Sequence, residues 1–486
     1  MKRTDGVIAL LLAALALPGF ASCDSDDGGT PVVPTVTLTG TLVRDRIAGG
    51  WVGQMVGVVA AGWTEFGYKG RIIPEGEFPE WDPFAFFTAW MQDDLYVEVP
   101  LLVAMRQHGV QAGWPVLGQA FRDTQFQLWH GNETARHALK EGLEAPDSGH
   151  FSHNKHCDDI DWQIESDYLG LMAPGLTRQA VELAWRQGHL IGYGDGVYGG
   201  VWVAAMHAEA FVATDLQQVI DAGLAAIPED TDFRKVLRDV QDGFARHPDD
   251  WTATWQEIED QWGTADRCPY GRDISYNIDA KLNAGYVLMG LLYGRGDFWN
   301  SIRIAIRCGQ DSDCNGSTVG GILGTLYGYS GIPAEYLTEM DWTDKKFDYT
   351  DATLQDCVDA TEELARQAVV LAGGRIEGTG DAETWVLPRR DLTPLVREQW
   401  PKEADEAPAL ATAKVVSVKG RTVRFEAAAT DDDGIASFTW TFGDLDYGDG
   451  ATPTHTYPAA GTYEAVVWVS DAIGNTSWKS VPVVVP

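Results

Sequence analysis

Cysteine is scarce. Six residues in a chain of 486 are too few to staple a protein of this length, so an apolar core rather than a disulfide framework must hold it together. No Cys-x-x-Cys pair points to a structural zinc site. Basic residues are also few, 36 against 71 acidic, which leaves a formal net charge of −35. That balance argues against nucleic acid or an anionic lipid surface as a partner, because both would be repelled. Two common enzyme signatures are missing: there is no phosphate-cradling Gly-x-x-x-x-Gly-Lys-Ser/Thr loop and no Gly-x-Ser-x-Gly nucleophile elbow. Long hydrophobic runs are absent beyond the N-terminus, where Val7 to Leu17 gives eleven apolar residues, too short for a stable membrane span.

Lys2 and Arg3 precede that run, and Phe20-Ala21-Ser22-Cys23 follows it. The arrangement resembles a bacterial lipoprotein signal, which implies cleavage before Cys23 and lipidation of its thiol; an ordinary secretory signal is the alternative. Residues 1–22 are therefore expected to be a signal peptide. Residues 23–41 are expected to be a tether, with Asp, Gly and Pro crowded between Asp24 and Pro34. The protein is expected to be exported to the cell envelope and held at the membrane through a lipid anchor only, or to be secreted. Lipidation of Cys23 would leave five cysteines, so at least one stays unpaired, and a local Cys308–Cys314 disulfide would compete with the motif around it.

The length suggests two or three domains. From 42 to 373 the apolar residues recur at three and four, as in Tyr96 to Met105 and Val201 to Val212, and no long alternating pattern interrupts them. A mainly α domain is expected here. Two stretches carry glycine on one face: Gly50, Gly53 and Gly57, and then Gly316, Gly320, Gly324 and Gly328. Each glycine inside a helix costs up to about 1 kcal/mol relative to alanine, so close helix–helix approach is the expected compensation. Residues 374–409 are polar and read as a connector. From 410 to 486 short runs such as Thr422 to Phe425 and Tyr463 to Val469 alternate with turn clusters, which predicts a small Ig-like β-sandwich. Trp440-Thr441-Phe442-Gly443-Asp444, His455-Thr456-Tyr457 and Gly461-Thr462-Tyr463 resemble the PKD domain, a module that usually serves as a spacer or adhesion unit. The stretch Leu445-Asp446-Tyr447 is an insertion relative to that pattern.

The chemistry is concentrated in two acidic clusters about two hundred residues apart, Gln92-Asp93-Asp94 and Asp311-Ser312-Asp313-Cys314-Asn315. Carboxylates set so close repel unless a proton or cation neutralises them. Two such pairs brought together would supply four hard oxygen ligands, which suits Mg2+, or alternatively Ca2+ or Mn2+. The ordered set of Asp45 to Gly57, Thr64-Glu65-Phe66, Gln92-Asp93-Asp94 and Gly309 to Asn315, followed by the glycine-rich helix, resembles the ADP-ribosylglycohydrolase family. The resemblance implies an all-helical fold with one or two divalent ions in a central cleft. It implies Asp93, Asp94, Asp311 and Asp313 as metal ligands, with Glu65, Asp94 and Asp313 in catalysis. The chain departs from the family pattern at Gln92, Leu95 and Cys314, each where a threonine is expected, and at Val58, where an aspartate is common. A metal-dependent hydrolase acting at a sugar anomeric carbon is the expectation, with an ADP-ribosyl or glycan-type substrate; a non-catalytic glycan- or nucleotide-binding protein is the competing class.

Gln92 and Asn315 are expected to contact substrate. His150 to Asp161 concentrates histidine and aspartate but lacks the helical histidine spacing of zinc enzymes. It is expected to be a cleft-lining loop, with Asp161 reading polar groups, or a surface loop. Gly192 to Gly200 carries Asp195, expected either to reach the substrate or to make a turn.

Overall fold

The structure, a computed structural model, describes residues 33–264, 278–401 and 406–486. The expected signal peptide, Cys23, most of the expected tether and Cys268 lie outside the described residues. Among those described, sixteen α-helices fill the stretch up to Leu371 and ten strands account for the β structure. No helix among them is long and apolar enough to cross a membrane.

Two helices make the centre of the molecule, Gly40–Ala61 and Ser312–Tyr327. Thr39 starts the first by accepting from the Leu42 amide at 3.2 Å, the usual service of an N-terminal hydroxyl. The two run antiparallel with their backbones in contact. A Cβ on Gly53 would lie 2.0 Å from the Gly320 carbonyl oxygen, one on Gly57 2.0 Å from that of Gly316, and one on Gly49 2.1 Å from that of Gly324. Glycine is the only residue that permits this approach. The glycine stripe is thus a packing face, as its spacing predicts, with a shift of one residue: Gly49 rather than Gly50 faces the partner backbone, while Gly50 packs on Leu171 and Thr325.

Regular structure also occurs where a tether and a connector are expected. Strand β1 (Thr35–Thr39) pairs antiparallel with β3 (Thr384–Pro388), which pairs with β2 (Arg375–Glu377). Leu38 sits opposite the fully buried Trp385, so a sheet of three short strands closes over the start of the first helix.

Strands β4 (Ala409–Lys419), β5 (Thr422–Thr430) and β8 (Thr454–Thr456) form one sheet of the C-terminal sandwich. Strands β6 (Ile435–Thr441), β7 (Tyr447–Asp449), β9 (Gly461–Asp471) and β10 (Thr476–Val485) form the other. Residues alternate between faces along a strand, and β9 uses both. Ala465, Val467 and Val469 pack with Phe425 and Trp440 inside the sandwich, while Val466 and Trp468 join the core of the helical domain. The Trp468 ring meets Trp114 and Trp185 edge-on at 5.9 and 5.7 Å. The inserted Leu445-Asp446-Tyr447 is part of the docking surface. Leu445 and Tyr447 are buried in the helical core, Asp446 accepts from Arg178 at 2.7 Å, and the Arg178 guanidinium lies 3.6 Å over the Tyr447 ring. The sandwich is packed onto the helical domain rather than strung out from it.

Candidate metal centre and active site

The backbone contact between the two central helices sets the site. Where the first helix ends, Thr64 and Ser312 share a hydroxyl hydrogen bond at 2.9 Å. The Phe66 amide donates to the Gln310 carbonyl, and the Gln310 amide to that of Tyr68, each at 3.0 Å. This short pairing lays Glu65 beside the start of the glycine helix. Ligand oxygens of Glu65, Asp311 and Asp313 lie within 4.8 Å of one another.

The other acidic motif arrives from a different segment. A 3-10 helix, Pro83–Met91, ends at the extended Gln92, and a one-turn helix, Asp93–Tyr96, follows. That break drives Asp94 inward to full burial. Its carboxylate, the Asp313 carboxylate and the Cys314 sulfur also lie within 4.8 Å of one another, and the thiol donates to Asp94 Oδ2 at 3.6 Å. Acids more than two hundred positions apart in the chain therefore meet at one place.

Their electrostatics are those of a centre short of positive charge. Burial, then the charge of Asp313, pushes the Asp94 carboxyl well above the usual range, and burial followed by Asp313 does the same for Asp311. Asp313 is pushed up to about 8 by burial and then by Glu65 and Asp93. Asp93 and the exposed Glu65 are raised as well, each mainly by desolvation. Asp94 Oδ1, Asp311 Oδ1 and Asp313 Oδ1 are buried with no hydrogen-bond partner. Buried, unsatisfied and mutually repelling carboxylate oxygens are costly unless a cation neutralises them, so this donor set fits a divalent ion with oxygen preference. Asp94, Asp311 and Asp313 would hold it, with Glu65 at its exposed side. The Cys314 thiol is the one soft donor; desolvation raises its pKa well above the ordinary value.

A cavity of about 280 Å3 opens onto this centre, lined by Glu65, Asp93, Asp311 and Cys314 on one side and by Trp129, His130, Asn132, Asp161 and Glu165 on the other. Asp161 accepts from the Asn132 amide at 3.1 Å, and burial lifts its carboxyl to about 7. Three other expected contacts fall elsewhere. Gln92, half-buried, is not a lining residue. Asn315 is fully buried and donates to Asn283 at 2.9 Å. Asp195 starts the helix Asp195–Ala210, accepts from the Phe233 amide at 3.3 Å and lies 3.9 Å from Lys281. Its carboxylate serves the buried interior and does not line the cavity. Cys308 and Cys314 are separate buried thiols.

Apart from Asp161, the sequence gives little hint of the opposite wall. Glu165, fully buried and raised well above its ordinary value by burial and then Asp161, accepts from the Asn132 side chain. His130 begins the helix His130–Lys140 and meets His156 and Asp159. Burial lowers the His130 imidazole to about 4, with His156 adding to the effect, and also lowers His156. The histidine richness of the 150–161 stretch is a signal for this cluster, but its third member comes from twenty-six positions before His156.

Comparison with known proteins supports the two-part architecture. The PKD domain family matches residues 405–485. Among solved structures, the PKD1 domain of Vibrio anguillarum Epp is 24% identical over 17% of this chain and 96% of its own, with a TM-score of 0.16. The PKD1 domain from the Vibrio cholerae metalloprotease PrtV is 28% identical over 16% and 98%, also with a TM-score of 0.16. An ADP-ribosylglycohydrolase-related protein complex is 16% identical over 67% of this chain and 99% of its own, with a TM-score of 0.45. No curated protein matches the chain. The ADP-ribosylglycohydrolase family matches residues 39–374, the span that carries both acidic motifs, the glycine helices and the cavity. By that match the chain belongs to the ADP-ribosylglycohydrolase family.

Proposed function

We propose that the protein is a divalent-metal-dependent hydrolase that cleaves a glycosidic bond at the anomeric carbon of an ADP-ribosyl conjugate. The observation that carries this reading is the convergence of Asp94, Asp311 and Asp313, each with an orphaned buried oxygen, beside a cavity that Glu65, Asp93 and Asp311 line. When bound, a Mg2+-like ion would offset the carboxylates, grip vicinal hydroxyls and acidify a water. Glu65 stands exposed at the edge of the centre with a raised pKa, suited to take a proton from water as positive charge develops on the sugar ring. Asp161, poised near neutrality across the cavity, anchors a substrate hydroxyl. Trp129, about half exposed (51%) at the rim, offers a face for a planar or sugar ring.

A second substrate class, a glycan outside the cytoplasm, is favoured by the PKD domain, which is typical of extracellular and surface proteins. The lipid anchor at Cys23 belongs to the same reading. One assay tests both. The purified protein is incubated with ADP-ribosylated peptide and with a glycan panel, in Mg2+, Mn2+, Ca2+ or chelator. Metal-dependent release of ADP-ribose supports the first class and of reducing sugar the second. Tight binding without turnover would establish a binding protein and overturn the hydrolase.

A further inference from the structure

We propose that His130, His156 and Asp159 form a second cation site, selective for a borderline transition metal such as Zn2+ and separate from the carboxylate centre. The three side chains come from two segments: the first position of the His130–Lys140 helix, and the turn that leads to the helix Asp161–Ile164. His156 Nδ1 lies 3.0 Å from Asp159 Oδ2, and His130 Nδ1 lies 3.5 Å from the same oxygen. One ligand atom from each residue falls within 4.8 Å of the other two. In a tetrahedral zinc site with bonds of about 2.0–2.1 Å, ligand atoms stand roughly 3.3 Å apart, so the two measured edges bracket that value. The imidazole planes are 78° apart with centroids at 5.2 Å. The rings are therefore not stacked, and each can point a nitrogen at the shared carboxylate.

The donor chemistry separates this cluster from its neighbour. Two imidazole nitrogens and one carboxylate oxygen match the ligand types of three-ligand zinc sites with an open fourth position. A small hard ion such as magnesium prefers oxygen. Exposure of the side chains rises in order, 0% for Asp159, 11% for His156 and 21% for His130, so the anionic ligand forms the floor and the two imidazoles lie nearer the surface. His130 lines the cavity that holds the carboxylates. With His156 it also lines an adjoining cavity of about 540 Å3 that contains Arg136 and Lys140. His130 itself has a left-handed backbone, φ +43°, a conformation that non-glycine residues rarely adopt and that tertiary structure must hold in place.

The test uses metal-free full-length protein titrated with Zn2+ followed by elemental analysis, and with Co2+ as a spectroscopic probe. The expected result is a tight zinc equivalent that survives Asp313→Ala. It should weaken by more than about 100-fold in His156→Ala, since loss of even an outer partner of a zinc ligand costs about 10–100-fold. Co2+ should give visible bands of a nitrogen-ligated, low-coordinate ion that vanish in the same variant. His130→Asn is the second variant, because asparagine tolerates the left-handed backbone and so spares the fold that alanine would strain. Equal zinc stoichiometry and affinity in wild type and His130→Asn would overturn the site and leave a hydrogen-bonded cluster only. Loss of the zinc equivalent in Asp313→Ala would likewise overturn it, assigning the ion to the carboxylate centre.

Discussion

Two groups of buried acids in this molecule have opposite surroundings. Glu398 is fully buried at the seam between the helical domain and the sandwich, and both of its oxygens are satisfied. His189 Nε2 lies 3.0 Å from Oε2, the Gly194 amide donates to Oε2 at 3.1 Å, and Thr476 donates to Oε1 at 3.1 Å. Asp94, Asp311 and Asp313 are about as deeply buried, yet each keeps one oxygen without a partner. A buried polar group is normally hydrogen-bonded. The satisfied acid is therefore a structural joint, and the unsatisfied trio is a donor set that fits a divalent cation. The same logic places Asp195 with the joints, through Phe233 and Lys281.

The largest effect expected from breaking the comparison is at Asp313. Asp313→Ala should lower metal-dependent turnover by about 1000-fold, the scale of several kcal/mol that a catalytic ion supplies. It should also abolish stoichiometric Mg2+ or Mn2+ binding on elemental analysis. Metal-free stability should stay level or rise, because one repelling charge has gone. Unchanged metal content would remove Asp313 from the ligand set. Glu398→Ala should do the reverse. It leaves His189, Thr476 and the Gly194 amide without their acceptor and should cost about 2–4 kcal/mol in denaturant unfolding, with metal content intact. An undiminished unfolding free energy would show that the Glu398 joint does not contribute to stability.

Acidity sharpens the contrast further. Burial holds Asp313 at about 8 and Asp161 at about 7, against an ordinary aspartate value near 4 in the unfolded chain. Between those limits the folded protein binds more protons than the unfolded one. Their contribution to metal-free stability is thus fully present below about pH 4 and is lost as pH rises toward 8. A cation favours the deprotonated carboxylates, so the rise in Tm on adding Mg2+ should grow from about pH 5 to about pH 8. A metal-induced shift that is flat across this range would show that the raised carboxyls are not the ligands.

The acidic pairs and the glycine rhythm are legible in the sequence because both are local: a few adjacent carboxylates, and one face of a helix at a spacing of four. What the sequence hides is what depends on register or on distant partners. Gly49 rather than Gly50 faces the partner backbone, a one-residue matter that spacing alone does not decide. Asn132 and Glu165 meet through a side-chain bond across 33 positions, and neither belongs to a spaced motif. The pairing of Thr35–Thr39 with Thr384–Pro388 joins stretches whose polar composition reads as linker. The insertion at Leu445 to Tyr447 is visible as a departure from the PKD pattern, but its role as a docking element depends on Arg178, more than two hundred and sixty positions away.

The smallest effect, and the most specific, belongs to Cys314. Its thiol points to Asp94 Oδ2 and also bonds the Asp311 carboxylate, and it packs with Ile160 and Ile164 in a small apolar cluster. Threonine divides the same two tasks between a hydroxyl and a methyl, so Cys314→Thr should keep the fold to within about 1 kcal/mol, as volume-conserving changes commonly do. The chemistry of the donor set changes more than its shape. A polarisable sulfur gives way to a hard oxygen, and hard cations prefer oxygen while Zn2+ and Cd2+ accept sulfur. The ratio of Mg2+ to Cd2+ affinity at the carboxylate centre should rise by about tenfold, read by competitive titration of the metal-free protein. An unchanged ratio would mean that the thiol stands beside the ion without touching it. Cys314 would then belong with Glu398 among the structural contacts, and the metal preference would be set by the three aspartates alone.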